Sequence, residues 1–452
     1  MLQFQLNSAQ SFTSFANWNH AGISGVYLQP ASIADTRLKF DMTVFGMDIN
    51  VGNSLYGLKR GFLFSGNIDD KFNDYKRELT NIKNHKGLIS ADLQVLNFMV
   101  PISPKSAIGF TCRARYMLNI EGIDPDLLRL IDDGLDIHIG DSYSIQNLAM
   151  GTNLWAELGL TYAREIMDWG PHYLKGGVSL KLIQPMSSGY IHIKDAGYSI
   201  KPDDDIWVKA SGELAVPQSF DDLEDFVDPD KIFNDWNSFK IRGVGFDIGA
   251  VYEYRPEHMS YKETRDNTSI WNRYEPSRYL FRVGISVLDI GSMKYDTDHS
   301  MGFSMDSQKS ISEDNITNIS DLTDLFELEP SETNYRMALP TAISLQTDWR
   351  ITRYFYLGIN PYFALRSKVK NKINTHYVTS INLTPRFEMA GLGVSLPFTY
   401  DGFRSFNVGL GLNLGPLWIG SNNIFNVLIS DKLRSLNFCM GMKISIFHKN
   451  KS

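Results

Sequence analysis

The 452-residue chain is 43% apolar, 12% aromatic and 21% charged, with a net charge of −7, a balance that argues against a nucleic-acid partner. It has no apolar run of the roughly eighteen residues that a membrane-spanning helix needs. No linker, low-complexity tract or composition break divides it, so its length reads as one large unit rather than two or three soluble domains. Its two cysteines, Cys112 and Cys439, imply no disulfide framework, and both read as small residues on the apolar face of a strand.

Residues 1–37 are polar and aromatic and read as a periplasmic segment that enters a barrel as a hatch. Met1-Leu-Gln-Phe-Gln-Leu lacks the basic and apolar parts of a signal peptide, so the chain reads as a mature form from which that peptide has been removed. A first strand lies within 38–51, with its alternation slipping near Val44, and 52–87 reads as an outer loop. A strand at 88–100 ends in the tight turn Pro101–Lys105. The next strand turns Ile108, Phe110, Cys112, Ala114, Tyr116 and Leu118 one way and Arg113 and Arg115 the other. An outer loop at 119–146 is expected to hold a short helix at Pro125–Leu135. Beyond it, Leu154, Ala156, Leu158, Leu160 and Tyr162 oppose Glu157, and Leu174, Val178, Leu180 and Leu182 oppose Lys175 and Lys181. Residues 186–240 read as a large outer loop carrying its own hairpin.

The clearest pair follows. Residues 243–255 put Val244, Phe246, Ile248, Ala250, Tyr252 and Tyr254 on one face, against glycines with Asp247, Glu253 and Arg255. Residues 279–287 alternate in the same way, with Arg282 on the mixed face. The connection between them, Pro256–Ser277, is too long for the side of the barrel on which it falls. Residues 292–336 read as another outer loop. Further strands are expected at Ala338–Trp349 with Asp348 inward, Tyr354–Arg366, His376–Glu388 with Arg386 and Glu388 inward, Gly391–Tyr400, Phe403–Leu414, Leu417–Phe425 and Ser435–Phe447, before a tail at 448–452.

The mixed face decides the environment. A soluble sandwich exposes a face rich in Lys, Glu and Thr, whereas glycine with scattered charge behind an apolar face closed by tyrosines describes a barrel strand in lipid. The expectation is an all-β, transmembrane antiparallel barrel of about fourteen strands spanning 38–447, the even number bringing both ends to the periplasm of a bacterial outer membrane. The inward charges (Arg113, Arg115, Glu157, Lys175, Lys181, Asp247, Glu253, Arg255, Arg282, Asp348, Arg386 and Glu388) are the best functional candidates, weighed against ion pairs that stiffen the wall and exclude bulk flow.

Gly245–Tyr252 and Gly284–Gly291 resemble paired motifs of Bacteroidetes barrels similar to FadL. Gln29-Pro30-Ala31 resembles their Asn-Pro-Ala hatch motif, with Gln in place of Asn. Gly411–Trp418 and Gly420-Ser-Asn-Asn423 look like an uncharacterised Bacteroidetes outer-membrane family. The resemblance implies a fourteen-stranded barrel with an N-terminal hatch, and its relatives diverge between the fatty-acid channel FadL and PorV-type components of type IX secretion.

Chemistry is sparse. Of the nine histidines, only His138, beside Asp141 and Ser142, invites a triad, and a polar loop accounts for it better. The acidic runs match no EF-hand, and Gly243–Gly249 continues as a strand rather than opening a helix, so neither metal nor cofactor is expected and no residue is assigned a catalytic role. The first expectation is therefore a non-enzymatic accessory or scaffold barrel, meeting membrane lipid around its wall and other envelope proteins through its outer loops. The second is a conduit for a hydrophobic small molecule, which requires an apolar pocket under the loops and a side opening or kink in a strand.

Overall fold

A computed structural model describes residues 15, 17–58, 76–78, 85–123, 142–200, 206–216, 240–257, 262–265, 268–271, 278–296, 299–307, 327–330, 334–365, 374–389, 391–430 and 432–448. Their strands occupy fourteen positions of one closed antiparallel barrel. These are β1 (Leu38–Asn53), β2 (His85–Ser103), β3 (Ser106–Ile123), β4 (Ser142–Trp169), β5 (His172–Ile200), β6 (Ile206–Val216 and Gly243–Tyr254) and β7 (Phe281–Asp296 and His299–Ser307). They continue with β8 (Glu327–Pro330, Asn334–Ala338 and Ala342–Arg350), β9 (Phe355–Ala364), β10 (Ser380–Met389), β11 (Leu392–Ser395 and Phe398–Asp401), β12 (Phe406–Val408 and Leu410–Leu414), β13 (Leu417–Ser421) and β14 (Ser435–Phe447). Each strand pairs with its neighbour in sequence. β1 closes the ring by pairing with β2 on one side and β14 on the other, with Gly46 opposite both Gln94 and Gly441.

Closure satisfies the backbone inside a bilayer, and the outer face completes the case for one. Leu160, Ile248 and Phe406 are 58%, 53% and 58% exposed, and Ile285, Leu180 and Ile444 share that face. Leaving such side chains in water instead of lipid forfeits about 1.5–3 kcal/mol each, so the belt is stable only against hydrocarbon.

The expected alternation holds through most of the wall and fails where its physics changes. The slip near Val44 is a bulge, since Thr43 and Phe45 bracket a register shift against β14. Strand β2 bulges at the same height, with Leu96 at a φ of +52°, and Asn97 fills the gap by accepting from the Cys112 amide at 2.7 Å. Several expected boundaries are corrected. Loops 52–87 and 119–146 are shorter than read, because the barrel strands run to Asn53 and Ile123 and resume at His85 and Ser142. The hairpin expected within 186–240 is present but belongs to the barrel strands, and 292–336, read as a loop, also carries strands. β5 continues to Ile200 against Ile206–Val216, which pairs in turn with His299–Ser307. Crossing lipid takes only about 9–11 strand residues, so this ladder of 29-residue β5 stands well outside the membrane. The long connection after β6 carries its own hairpin, Lys262–Arg265 with Thr268–Trp271, and leaves the strand count unchanged. β13 stops at Ser421, and a short helix at Ile424–Ile429 takes the place of its expected end. Cys439 faces inward, buried against Phe15, Trp18 and Trp418, because it shares parity with Gly441 rather than with Phe438 and Met440. The loop residues His138 and Asp141, the helix expected at Pro125–Leu135 and the acidic run Asp221–Asp225 lie outside the described residues.

The hatch lies within the lumen as two short 3-10 turns, Gly22–Tyr27 and Pro30–Ile33. Its seat depends on glycine in the wall. A Cβ on Gly177 would stand 2.5 Å from the Ala31 amide nitrogen, and one on Gly249 would stand 1.9 Å from Gln29 Oε1. Gly176, of opposite parity, comes close only to the flexible end of Ile166 and leaves the Gly249 carbonyl at an ordinary 3.8 Å. Replacing Gly249 by Val is therefore expected to cost about 1–3 kcal/mol and to expose the hatch to protease, whereas Gly176→Ala is tolerated. Limited proteolysis and the temperature at which the folded band is lost on gels check both.

Candidate functional site: a layered lumen

Gln29 ties the hatch to the wall. Its Nε2 donates to the carbonyls of Ala250 (3.2 Å) and Ile285 (3.1 Å), which sit opposite one another on β6 and β7, and to Gln346 Oε1 (3.1 Å). Its Oε1 accepts from the Ala31 amide, capping the second turn where Pro30 has no N–H to offer. Lys175 Nζ donates to Ala34 O at 2.9 Å, and Asp41 accepts from the Ile23 amide at 2.8 Å.

All twelve charges expected to face inward are in the lumen, where they form three clusters. The central one joins Arg113, Arg115, Glu157, Lys181 and Asp247 to two residues missed from the sequence, Asp92 and Asp289. Arg113 lies 3.2 Å from Asp92 and also bonds Glu157; Arg115 lies 3.0 Å from Asp289; Lys181 lies 2.7 Å from Asp247 and 2.6 Å from Asp289. Three cations thus face four acids, near-balance in a place where an unpaired charge is costly. The Tyr27 ring of the hatch packs under the Arg113 guanidinium at 4.3 Å.

The second cluster, nearer the termini, holds Lys175, Glu253 and Arg255 together with Asp35 and Arg278, two more missed residues. Arg255 lies 2.8 Å from Asp35 and lies over the Tyr173 ring at 3.5 Å, while Arg278 lies 2.7 Å from Asp35. The third is Arg282, Asp348, Arg386 and Glu388. Arg386 and Arg282 reach Asp348 at 2.5 and 3.2 Å, and Glu388 bonds Arg386 while accepting from the Asn19 amide at 3.0 Å.

Asp92 shares parity with the inward Ser90 and Gln94, so alternation could have found it. Asp289 could not be found that way, because counting from Ile285 and Val287 places it in lipid. β7 bulges there, with the register shifting between Val287 and Ile290 and Asp289 at a φ of +56°, so that Leu288 and Asp289 are both buried.

On the loop side of the central cluster lies a layer of a different kind. Met117, Trp155, Ile183, Met293, Tyr295 and Met337 are buried together, with Leu88, Tyr377 and Phe403. Each of the first five stands two to six residues further toward the outer end of its strand than the nearest charge of the central cluster. The layer reaches the wall at Leu288, Leu339 and Ala342, where the β7 bulge faces the break in β8. Leu339 N donates to Gly291 O at 3.0 Å and Thr341 Oγ1 to Asp289 O at 2.7 Å, so side chains and loop backbone close the gap that the ladder leaves.

Asp289→Ala leaves Arg115 and Lys181 short of their shared acid and is expected to cost about 3–5 kcal/mol in urea unfolding in detergent. His20, in the hatch, turns Nδ1 toward Glu388 at 3.5 Å and accepts from Arg37 at Nε2 (3.4 Å), and burial holds its pKa below the ordinary value. The docked hatch therefore binds fewer protons than the released one. Its docking is intact above the ordinary histidine range and weakens as pH falls below about 6.5, by at most about 1.4 kcal/mol per pH unit. Hydrogen exchange of residues 17–37 between pH 7.5 and 5 should show that loss in the wild type and little of it in His20→Gln.

A model of a family of unknown function, DUF5723, matches residues 30–422, so the chain belongs to that family. No curated protein matches it in sequence. Among solved structures, the translocator domain of the autotransporter NalP from Neisseria meningitidis overlays with a TM-score of 0.33 at 9% identity, covering 96% of this chain and 99% of that one. The toluene transporter TbuX from Ralstonia pickettii overlays at 0.35 and 9%, covering 98% and 97%. A FadL homologue from Pseudomonas aeruginosa overlays at 0.28 and 10%, covering 98% and 100%. Overlays this loose carry no argument about function, and the barrel stands on its own strand pairing.

Proposed function

We propose that this DUF5723 member is a non-enzymatic barrel of a bacterial outer membrane that conducts a small apolar molecule from outside, through the aromatic and methionine layer of its lumen, and sideways through the wall beside Leu288 and Leu339. One observation carries the reading: the buried apolar layer runs to a stretch of wall where a bulge in β7 and a break in β8 coincide. Beneath it, the ionic clusters and the hatch bar an axial route for anything apolar, so a lateral exit is the path that avoids crossing charge. Methionine and aromatic side chains suit such a layer, since they repack around ligands of different shape.

The accessory-barrel reading rests on the long outer segments. The ladder formed by β5, Ile206–Val216 and His299–Ser307 offers a surface for an envelope partner. A scaffold has no use, however, for an apolar lumen layer that meets a break in the wall.

Gentle extraction of the native protein, with mass spectrometry of co-purifying lipids and proteins, tests the two readings together. A barrel carrying a stoichiometric apolar molecule is the expected result, and in liposomes Trp155→Ala should bind that molecule about tenfold more weakly, about 1.4 kcal/mol. A stoichiometric protein partner with no apolar ligand would replace the conduit by the scaffold.

A further inference from the structure

The end of the lumen nearest the termini holds a cavity of about 90 Å³ between the hatch and strands β5–β8. That is room for several waters or for one tetrahedral oxyanion, since a single water needs only about 10–15 Å³ by this kind of measure. Its lining is unbalanced. Arg37, Lys175, Arg255, Arg278 and Arg282 face it, against the carboxylates of Asp35 and Glu253 alone. Asp348 and Glu388, the next acids, are shared with a further cation, Arg386.

Two donors of the hatch stand out. Among the described residues, Arg37 makes its side-chain hydrogen bond to His20 Nε2 and pairs with no carboxylate. His20 offers it no charge, because a ring that accepts at Nε2 while Nδ1 faces Glu388 is neutral. Asn19 accepts at Oδ1 from Tyr279 Oη (2.8 Å) and from Arg282 (3.3 Å), which fixes the orientation of its amide. Its Nδ2 is then buried without an acceptor. A buried donor left unmade and a cation left without a counter-charge are both costly, and one acceptor-rich anion would relieve both. Burial, with Arg278 beside it, also pushes the Arg37 guanidinium below its ordinary value, as expected of a cation in want of an anion.

We infer that this cavity binds a small oxyanion of the phosphate class, which clamps the hatch, through Asn19 and Arg37, to the wall, through Arg278 and Arg282. Arginine suits that ligand because its planar fork matches phosphate oxygens in pairs. Inorganic phosphate and the phosphomonoester head of a lipid at the inner surface of the membrane present the same chemistry.

The test is titration of the purified full chain in detergent with inorganic phosphate, against chloride at equal ionic strength, reading thermal stability and proteolysis of the hatch. Saturable protection by phosphate beyond that by chloride is expected, and Arg37→Gln should raise the half-saturating concentration about tenfold, with Arg37→Lys in between. Protection by phosphatidic acid in nanodiscs but not by free phosphate supports the site and assigns its ligand to the lipid. No protection in either arm, or an unchanged response in a folded Arg37→Gln, overturns the proposal. Should that variant fail to fold, ³¹P line broadening of phosphate by the wild-type protein decides: broadening competed away by sulfate supports the site, and its absence overturns it.

Discussion

Hydrocarbon offers no hydrogen bonds, and this structure depends on that constraint throughout. Every N–H and C=O that crosses the bilayer must find a partner in the chain, and a sheet does so only by closing on itself. Pairing of β1 with both β2 and β14 is therefore the contact without which no other part of the wall is stable. Closure then divides the side chains. Those of one parity meet lipid and become the apolar belt, while those of the other line a lumen that lipid does not reach.

Among the described residues the lumen is nonetheless filled over much of its height. Hatch and side chains fill its lower part, and desolvated charge is tolerated there only because it is paired. Arg115 is 1% exposed and Glu157 3%, and each touches more than one partner of opposite sign. Glycines at 177 and 249 let the hatch backbone and Gln29 approach the wall so closely that the two behave as one packed unit. The same packing leaves a cationic cavity near the termini, so the stiffness of the barrel and its chemistry at that end have a common origin.

Departures from regular pairing are concentrated where something other than closure is being served. The paired bulges at Val44 and Leu96 turn Asn97 toward both the Cys112 amide and the Tyr27 hydroxyl, linking wall to hatch. The bulge at Leu288–Asp289 does two tasks with adjacent residues: Asp289 completes the ionic cluster, and Leu288 brings the apolar layer to the wall. Coupling of the two layers through one bulge means that disturbing the charges there also disturbs the wall.

Much of this was legible in the chain. Period two over residues such as Val244–Tyr254 and Leu436–Ile446 is a local property, set by the pleat and the two solvents on its sides, so strand positions, closure and the inward parity of Arg113, Glu157, Lys181 and Arg386 followed from it. What the alternation could not reach was anything created by contact between distant segments. Asp289 turns inward only because its bulge is held by β6 and β8. Cys439 is buried only because Phe15 and Trp18 fold back into the barrel. Asp35 and Arg278, 243 positions apart, meet only once the hatch is seated. The hairpin within 186–240 was legible, but that its first arm is the outer end of β5, and that its second, Ile206–Val216, pairs onward with His299–Ser307, depends on segments far apart in the chain. Alternation records which medium a residue faces, whereas partners and cavities are set by the three-dimensional closure that brings remote residues within a few ångströms of one another.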